Sequence, residues 1–136
     1  MSPTEENSIT EILASAKTIA VVGLSRKPYR ASFGVSETLQ ESGYRIFPVN
    51  PNETEVLGEK CYSCLEDIPE KIDIVDIFRR SEFVPEIVDA AIRIGARAIW
   101  MQEGVEDEAS AERARRAGLF VIMDNCIAKE IYKRHK

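Results

Sequence analysis

Five short apolar runs, Thr18–Leu24, Tyr44–Val49, Asp73–Phe78, Arg97–Met101 and Leu119–Met123, alternate with stretches of helical length and composition. This alternation is the strongest constraint on the fold. Short runs rich in Val and Ile, bounded by turn residues, fit strands covered on both faces. Parallel strands need long crossovers, and the segments between these runs are long enough to supply them as helices. The expectation is an α/β fold with a doubly wound parallel sheet of about five strands and helices on both faces. A chain of 136 residues with 44% hydrophobic residues can bury one core, so one domain spanning residues 1–136 is expected.

Local signals refine the boundaries. Ser8-Ile-Thr-Glu11 reads as a capping box opening a short helix, with Ile9, Ile12 and Leu13 on one face. A helix is expected from about Ser32 to Ser42, ended by Gly43. Pro48 donates no ladder hydrogen bond, so the second strand should end or kink there. Asn50 to Lys60 reads as a polar loop, and Ser63-Cys-Leu-Glu66 as a second capping box before a very short helix stopping near Pro69. Ser81 should cap a helix running to about Ile94, with Pro85 in its first turn. Helices at Asp107–Ala117 and Ile127–Lys136 complete the pattern.

In a sheet of this kind the ligand lies outside the carboxyl ends of the strands, near the reversal of strand order. That rule selects Gly23 to Arg30, Asn50-Pro51, Phe78-Arg79-Arg80, Gln102-Glu103-Gly104 and Asp124-Asn125-Cys126. From Lys17 to Ser36 there are four basic residues and no acidic one, in a chain of net charge −5. A turn that aims backbone N–H groups and a helix N-terminus at one point attracts phosphate. A dinucleotide is disfavoured on two counts. The G-x-G-x-x-G fingerprint is missing after the first strand, and the second strand ends in Val49-Asn50-Pro51, without the acidic residue that holds an NAD ribose. Basic residues in two places, Arg26, Lys27 and Arg30 in one and Arg79 and Arg80 in the other, suit a ligand with phosphates at two sites. Coenzyme A, with a diphosphate and a separate 3′-phosphate, has that form.

Composition removes other classes. The acidic balance argues against a general nucleic-acid binder. No run of about 18 apolar residues exists to span a membrane, and the polar, acidic start carries no secretion signal. A cytoplasmic location is therefore expected. Three cysteines, Cys61, Cys64 and Cys126, are poor material for a disulfide framework. Cys61-Tyr-Ser-Cys64 has C-x-x-C spacing, but a zinc site would need Cys126 and His135 as further ligands, so packing under a loop is the simpler reading.

The series Val22-Gly-Leu-Ser25, Tyr44-Arg-Ile-Phe-Pro-Val-Asn-Pro51, Val56-Leu-Gly-Glu-Lys-Cys-Tyr62, Asp73-Ile-Val-Asp-Ile-Phe-Arg-Arg80 and Met123-Asp-Asn-Cys126 resembles the stand-alone CoA-binding domain proteins. These are similar to the nucleotide-binding domain of the succinyl-CoA synthetase α subunit. The resemblance runs over about residues 10 to 135. It implies a Rossmann-like fold that binds coenzyme A or acyl-CoA. By position it implies that Gly23, Leu24 and Ser25 approach the phosphates, with Lys27 and Arg30 pairing to them, and Arg26 and Ser32 stand in the same expected binding site. Asn50 and Pro51 would border the adenosine, Phe78 and Arg79 would line the nucleotide, and Gln102, Glu103 and Asn125 would face the pantetheine; Arg80 and Cys126 complete the expected binding site. Ala31-Ser32-Phe33 departs from the Pro-Ser followed by His or Tyr that relatives often carry.

No catalytic set is legible. The synthetase relatives use a phosphohistidine on another domain, whereas the single histidine here is His135. Glu103 has no partner carboxylate in the sequence. Cys126 precedes a helix start, where a thiolate is favoured, and could form a mixed disulfide with the thiol of coenzyme A or serve as a packing residue. The leading expectation is a coenzyme A binder without intrinsic catalysis. A small NADP- or nucleotide-dependent enzyme and a structural subunit that has lost its ligand remain the alternatives. No protein partner is indicated.

Overall fold

The structure, a computed structural model, describes residues 3–134. Chain order is α1 (Pro3–Ser15), β1 (Thr18–Val22), α2 (Ala31–Glu41), β2 (Arg45–Val49), β3 (Glu55–Val56), β4 (Glu59–Lys60), β5 (Ile74–Ile77), α3 (Val84–Arg93), β6 (Ala98–Met101), α4 (Glu108–Arg116), β7 (Phe120–Ile122) and α5 (Ile127–Arg134). Five strands form a parallel sheet in the order β2-β1-β5-β6-β7. The doubly wound expectation is borne out. Strand order reverses at the β1–β5 boundary, so the ligand crevice of such a sheet opens there.

Every residue of β1, β5 and β6 is buried. The two-residue period of a strand sorts them into two cores. Val22, Ile77 and Met101 face α3 and α4 through Ile87, Val88, Ala111 and Ala114. Ile19, Val21 and Trp100 face α1, α2 and α5 through Ile9, Leu39, Ile127 and Ile131. Each such large apolar side chain contributes about 1.5–3 kcal/mol on burial. Among the described residues no helix is long and apolar enough to cross a membrane.

Several local expectations are corrected. The first helix begins at Pro3, so Ser8 to Glu11 lie inside it and form no capping box. Proline is well suited to a first helical position because the N–H it lacks would be unpaired there. Ser63-Cys-Leu-Glu66 forms no box either: a 3-10 turn covers Leu65–Asp67 without a side-chain cap, and Glu66 pairs with Arg93 at 3.0 Å. Ser81 opens a separate 3-10 turn, Ser81–Phe83, ahead of α3, and its Oγ accepts the Glu106 N–H at 3.0 Å. The second strand runs through Pro48 to Val49. Its outer edge explains this. Tyr62 N–H donates to the Pro48 carbonyl and Asn50 N–H to the Tyr62 carbonyl, each at 2.9 Å. The missing Pro48 donor thus points away from β1, where no ladder bond is lost. Within the stretch read as a polar loop, β3 and β4 form an antiparallel ribbon. Leu57 and Gly58, with φ of 54° and 79°, make its two-residue turn, as both central residues of a tight hairpin require. The final helix is described to Arg134, and His135 lies outside the described residues.

Candidate ligand cleft

The cleft is built at the carboxyl ends of β1 and β5. Gly23 follows β1 with φ +90°, and its N–H donates to Val49 O at 2.8 Å. A Cβ there would lie 2.5 Å from the Phe78 carbonyl oxygen. Glycine is therefore demanded by the backbone at the end of β5. Beyond it the loop is held by its own polar groups. Ser25 N–H donates to Ser32 Oγ, and Lys27 N–H to Ser25 Oγ, each at 3.1 Å. Asn50 Nδ2 donates to the Leu24 carbonyl at 3.0 Å while its Oδ1 accepts the Asn52 N–H at 2.9 Å. Leu24 itself is fully buried and contributes only backbone.

The basic residues divide into two groups. Arg26 is tied to Glu53, through its backbone N–H at 3.0 Å and its guanidinium at 3.3 Å, and Arg80 pairs with Glu82 at 3.5 Å. Lys27, Arg30 and Arg79 have no carboxylate partner among the described residues. Arg30 lies 5.7 Å from the Tyr29 ring centre and Arg79 stacks over Phe83 at 4.3 Å. Arg30 also precedes α2, whose first turn has no side-chain cap. Unpaired cations and an uncapped helix start together favour an anion.

Three cavities line this edge. A basic one of about 340 Å³ is bounded by Gly23, Ser25, Lys27, Arg30, Ser32 and Phe78. A second, about 320 Å³, lies on the β2 side among Val22, Val49, Pro51, Leu65, Arg79 and Ile87. A third, about 380 Å³, lies on the β6 side among Ala31, Val35, Phe78, Gln102, Val105 and Cys126. Phe78 joins the first to the third, and Arg79 the second to the third. The wall from Ser63 to Glu66 was not legible in sequence. It reaches the cleft because Tyr62 bridges to Val49, an edge pairing with no strong pattern of its own.

The loops after β6 and β7 are locked together. Gly104 N–H donates to Asp124 Oδ1 at 2.7 Å, Trp100 Nε1 to the Asn125 carbonyl at 2.9 Å and Ile127 N–H to Gln102 Oε1 at 3.2 Å. Asp124 holds the left-handed conformation at φ 52°. Glu103 is paired with Lys129 at 2.9 Å, and this bond raises the lysine pKa. Glu130, in the first turn of α5, is buried beside these loops. Burial pushes that carboxyl up, but bonds from Arg134 and Asn125 and the Lys133 charge hold it below the usual range. Cys126 is buried beside the third cavity at the start of α5.

The remaining reactive groups are dispersed. Cys61 is buried, its Sγ lies 3.4 Å from the Asn50 carbonyl, and burial raises its pKa; Cys64 is exposed, and both are free thiols. Among the described residues no cluster of His, Cys, Asp or Glu is placed to hold a metal ion. Asp76, in β5, is fully buried with neither carboxylate oxygen hydrogen-bonded, and burial raises its pKa well above the usual range. The cleft as built offers an anionic, elongated ligand one basic cavity and two partly apolar ones.

The family profile described as CoA binding domain matches residues 17–132. A Bacillus subtilis (strain 168) protein, described as uncharacterized protein YneT, is 45% identical over 119 residues, which cover 88% of each chain. The ADP-forming acetate–CoA ligase II of Archaeoglobus fulgidus is 34% identical over 105 residues, which are 74% of this chain and 16% of the ligase. The solved structure of a hypothetical protein from Pyrococcus horikoshii OT3 superposes with a TM-score of 0.94 at 37% identity, covering 100% of this chain and 98% of that one.

Proposed function

The chain belongs to the CoA binding domain family, and we propose that it binds coenzyme A or an acyl-CoA along the carboxyl edge of its sheet, without catalysis of its own. The observation that carries this reading is the convergence of three unpaired cations, Lys27, Arg30 and Arg79, at the β1–β5 switch point. In this reading the diphosphate lies in the basic cavity, against the backbone of Gly23 to Ser25 and the start of α2. Ser32 holds that loop in shape. The adenosine borders Asn50 and Pro51 in the β2-side cavity, with Phe78 and Arg79 between base and phosphates. Arg26 and Arg80 lend charge from the rim while paired to Glu53 and Glu82. The pantetheine runs toward Gln102, past Glu103 and the Asn125 turn, and brings its thiol toward Cys126.

Calorimetric titration with coenzyme A, dephospho-CoA, NADP and ADP tests the proposal. The expected result is preference for coenzyme A, with a loss for dephospho-CoA. Tight NADP binding with none for coenzyme A would replace the reading with a nucleotide-dependent enzyme, and silence from all four with a structural subunit. Lys27→Ala and Arg30→Ala should each weaken coenzyme A binding by about 1–3 kcal/mol, as loss of a charge-assisted bond does.

A further inference from the structure

Gln102 follows directly after β6 and is only 4% exposed, although its side chain is polar. Its Oε1 accepts the N–H of Ile127, the first amide of α5. That bond fixes which way the amide faces, because an N–H can only be met by the carbonyl oxygen. The Nε2 group then carries two hydrogens and has no partner among the described residues. Gln102 borders the third cavity, where its neighbours include Ala31, Val35, Phe78, Val105 and Cys126. The Nε2 is not itself sealed from solvent, so a donor without a protein partner is available to an acceptor that a ligand brings into the cavity.

We propose that this end of the cleft takes the acyl group of an aliphatic acyl thioester, with Gln102 Nε2 donating to the thioester carbonyl; this rests on the reading that coenzyme A occupies the cleft. The donor's chemistry selects the partner. A free thiol is a weak acceptor, whereas a carbonyl oxygen is a good one. The walls select the acyl chain. Ala31, Val35, Phe78 and Val105 offer apolar surface. Of the charged neighbours, Glu103 is neutralised by Lys129 and Arg80 by Glu82. The third, Arg79, is stacked on Phe83 and shared with the adenosine side. One bond holds the amide itself, from Ile127 N–H, and two more hold the loops beside it, Gly104 N–H to Asp124 and Trp100 to Asn125. The site is therefore specific by preorganisation, since the donor is in position before the ligand arrives.

The test compares butyryl-CoA with S-butyl-CoA, a thioether of similar length that lacks the carbonyl, and with coenzyme A, all by calorimetry on the full chain. Butyryl-CoA should bind about tenfold tighter than the thioether, the upper range for one hydrogen bond. In Gln102→Met, which keeps length but cannot donate, the ratio of the two affinities should fall to about one. The infrared stretch of the bound thioester carbonyl should lie at lower frequency in the wild type than in water-free solvent, and return in Gln102→Met. Equal affinity of thioester and thioether for the wild type overturns the inference while leaving coenzyme A binding intact. A ratio unchanged in Gln102→Met overturns the role of Gln102. Failure of all three ligands to bind the wild type overturns the cleft reading itself.

Discussion

The two edges of the parallel sheet treat charge in opposite ways. At the amino edge, the carboxylates and arginines beside the strand starts are satisfied by protein. Asp73 accepts the Lys17 N–H at 2.8 Å and the Thr18 N–H at 3.3 Å, and lies 3.7 Å from Arg97. Arg97 also donates to Ser15 Oγ at 2.8 Å, and Arg45 meets Glu70 through two bonds of 2.7 and 2.6 Å. At the carboxyl edge, Lys27, Arg30 and Arg79 lack carboxylate partners among the described residues, the start of α2 is uncapped, and Gln102 keeps a free donor. Satisfied polar groups contribute stability; unsatisfied ones near a surface cleft are available to a ligand. The contrast leaves the carboxyl edge with groups free for a ligand, as the proposed coenzyme A site requires. Its simplest consequence is that added salt should weaken coenzyme A binding strongly while changing the unfolding midpoint little.

The largest departure from that division should come from Gly23, which sits on the recognition edge yet is required by packing. Gly23→Ala places a Cβ against the Phe78 carbonyl at 2.5 Å and forces φ +90° on a residue that resists it. The expected loss is about 3 kcal/mol in stability, read by urea unfolding, together with lost binding. A stable Gly23→Ala protein that only binds less well would mean that the β1 and β5 ends are free to part.

Asp73 tests the amino edge. Asp73→Ala leaves two backbone amides without their acceptor and should cost about 2 kcal/mol of stability with coenzyme A affinity unchanged. The pH dependence has a definite sign. Burial raises the Asp73 pKa, but the Lys17 and Thr18 amides and the Arg97 charge outweigh it and hold the folded value below the ordinary one. Its stabilisation is therefore present above the unfolded carboxyl pKa and is lost as pH falls through the folded value. Asp76, three residues along β5, behaves oppositely. Burial raises its folded pKa, so its stability contribution is present below the unfolded pKa and is lost as pH rises through the folded one. In melting curves, Asp73→Asn should flatten the acid limb, and Asp76→Asn should raise the midpoint at pH 8 but not at pH 4. A wild-type midpoint that does not decline between pH 4 and pH 8 relative to Asp76→Asn would show Asp76 to be hydrogen-bonded or hydrated in solution.

What was legible in the sequence follows the same physics. The five strands and their crossovers were readable because a two-sided sheet demands continuous apolar runs, and Gly43, Gly95 and Gly118 each lie just beyond a helix end. Caps were less legible. Ser8, Ser63 and Ser81 match a cap pattern, yet helix starts were decided by Pro3, by a 3-10 turn and by the Glu106 amide. The rule that ligands lie at strand ends brought Gly23, Phe78, Gln102 and Cys126 to one edge. It could not reveal which cations are already spent. Nothing in Arg26 or Arg80 distinguishes them from Arg30 until Glu53 and Glu82 are seen beside them. Nor could spacing show that the Asn125 carbonyl takes the Trp100 indole N–H, or that Asp124 beside it holds a left-handed backbone.

That backbone supplies the smallest and most discriminating expectation. Asp124 does two things at once: its carboxylate takes the Gly104 N–H, and its residue type tolerates φ 52° better than most. Asp124→Asn keeps an oxygen for Gly104 and the same tolerance, so stability should change by less than about 0.5 kcal/mol. Asp124→Gly relieves the backbone but frees Gly104, and Asp124→Ala loses on both counts, at about 1 kcal/mol. These variants act on the loop that carries Gln102 and Cys126 and are remote from Lys27 and Arg30. Asp124→Ala should therefore weaken coenzyme A more than adenosine 3′,5′-bisphosphate, which lacks the pantetheine. Equal weakening of both ligands would mean that the carboxyl edge responds as one unit, and the division between its basic centre and its thioester end would have to be withdrawn.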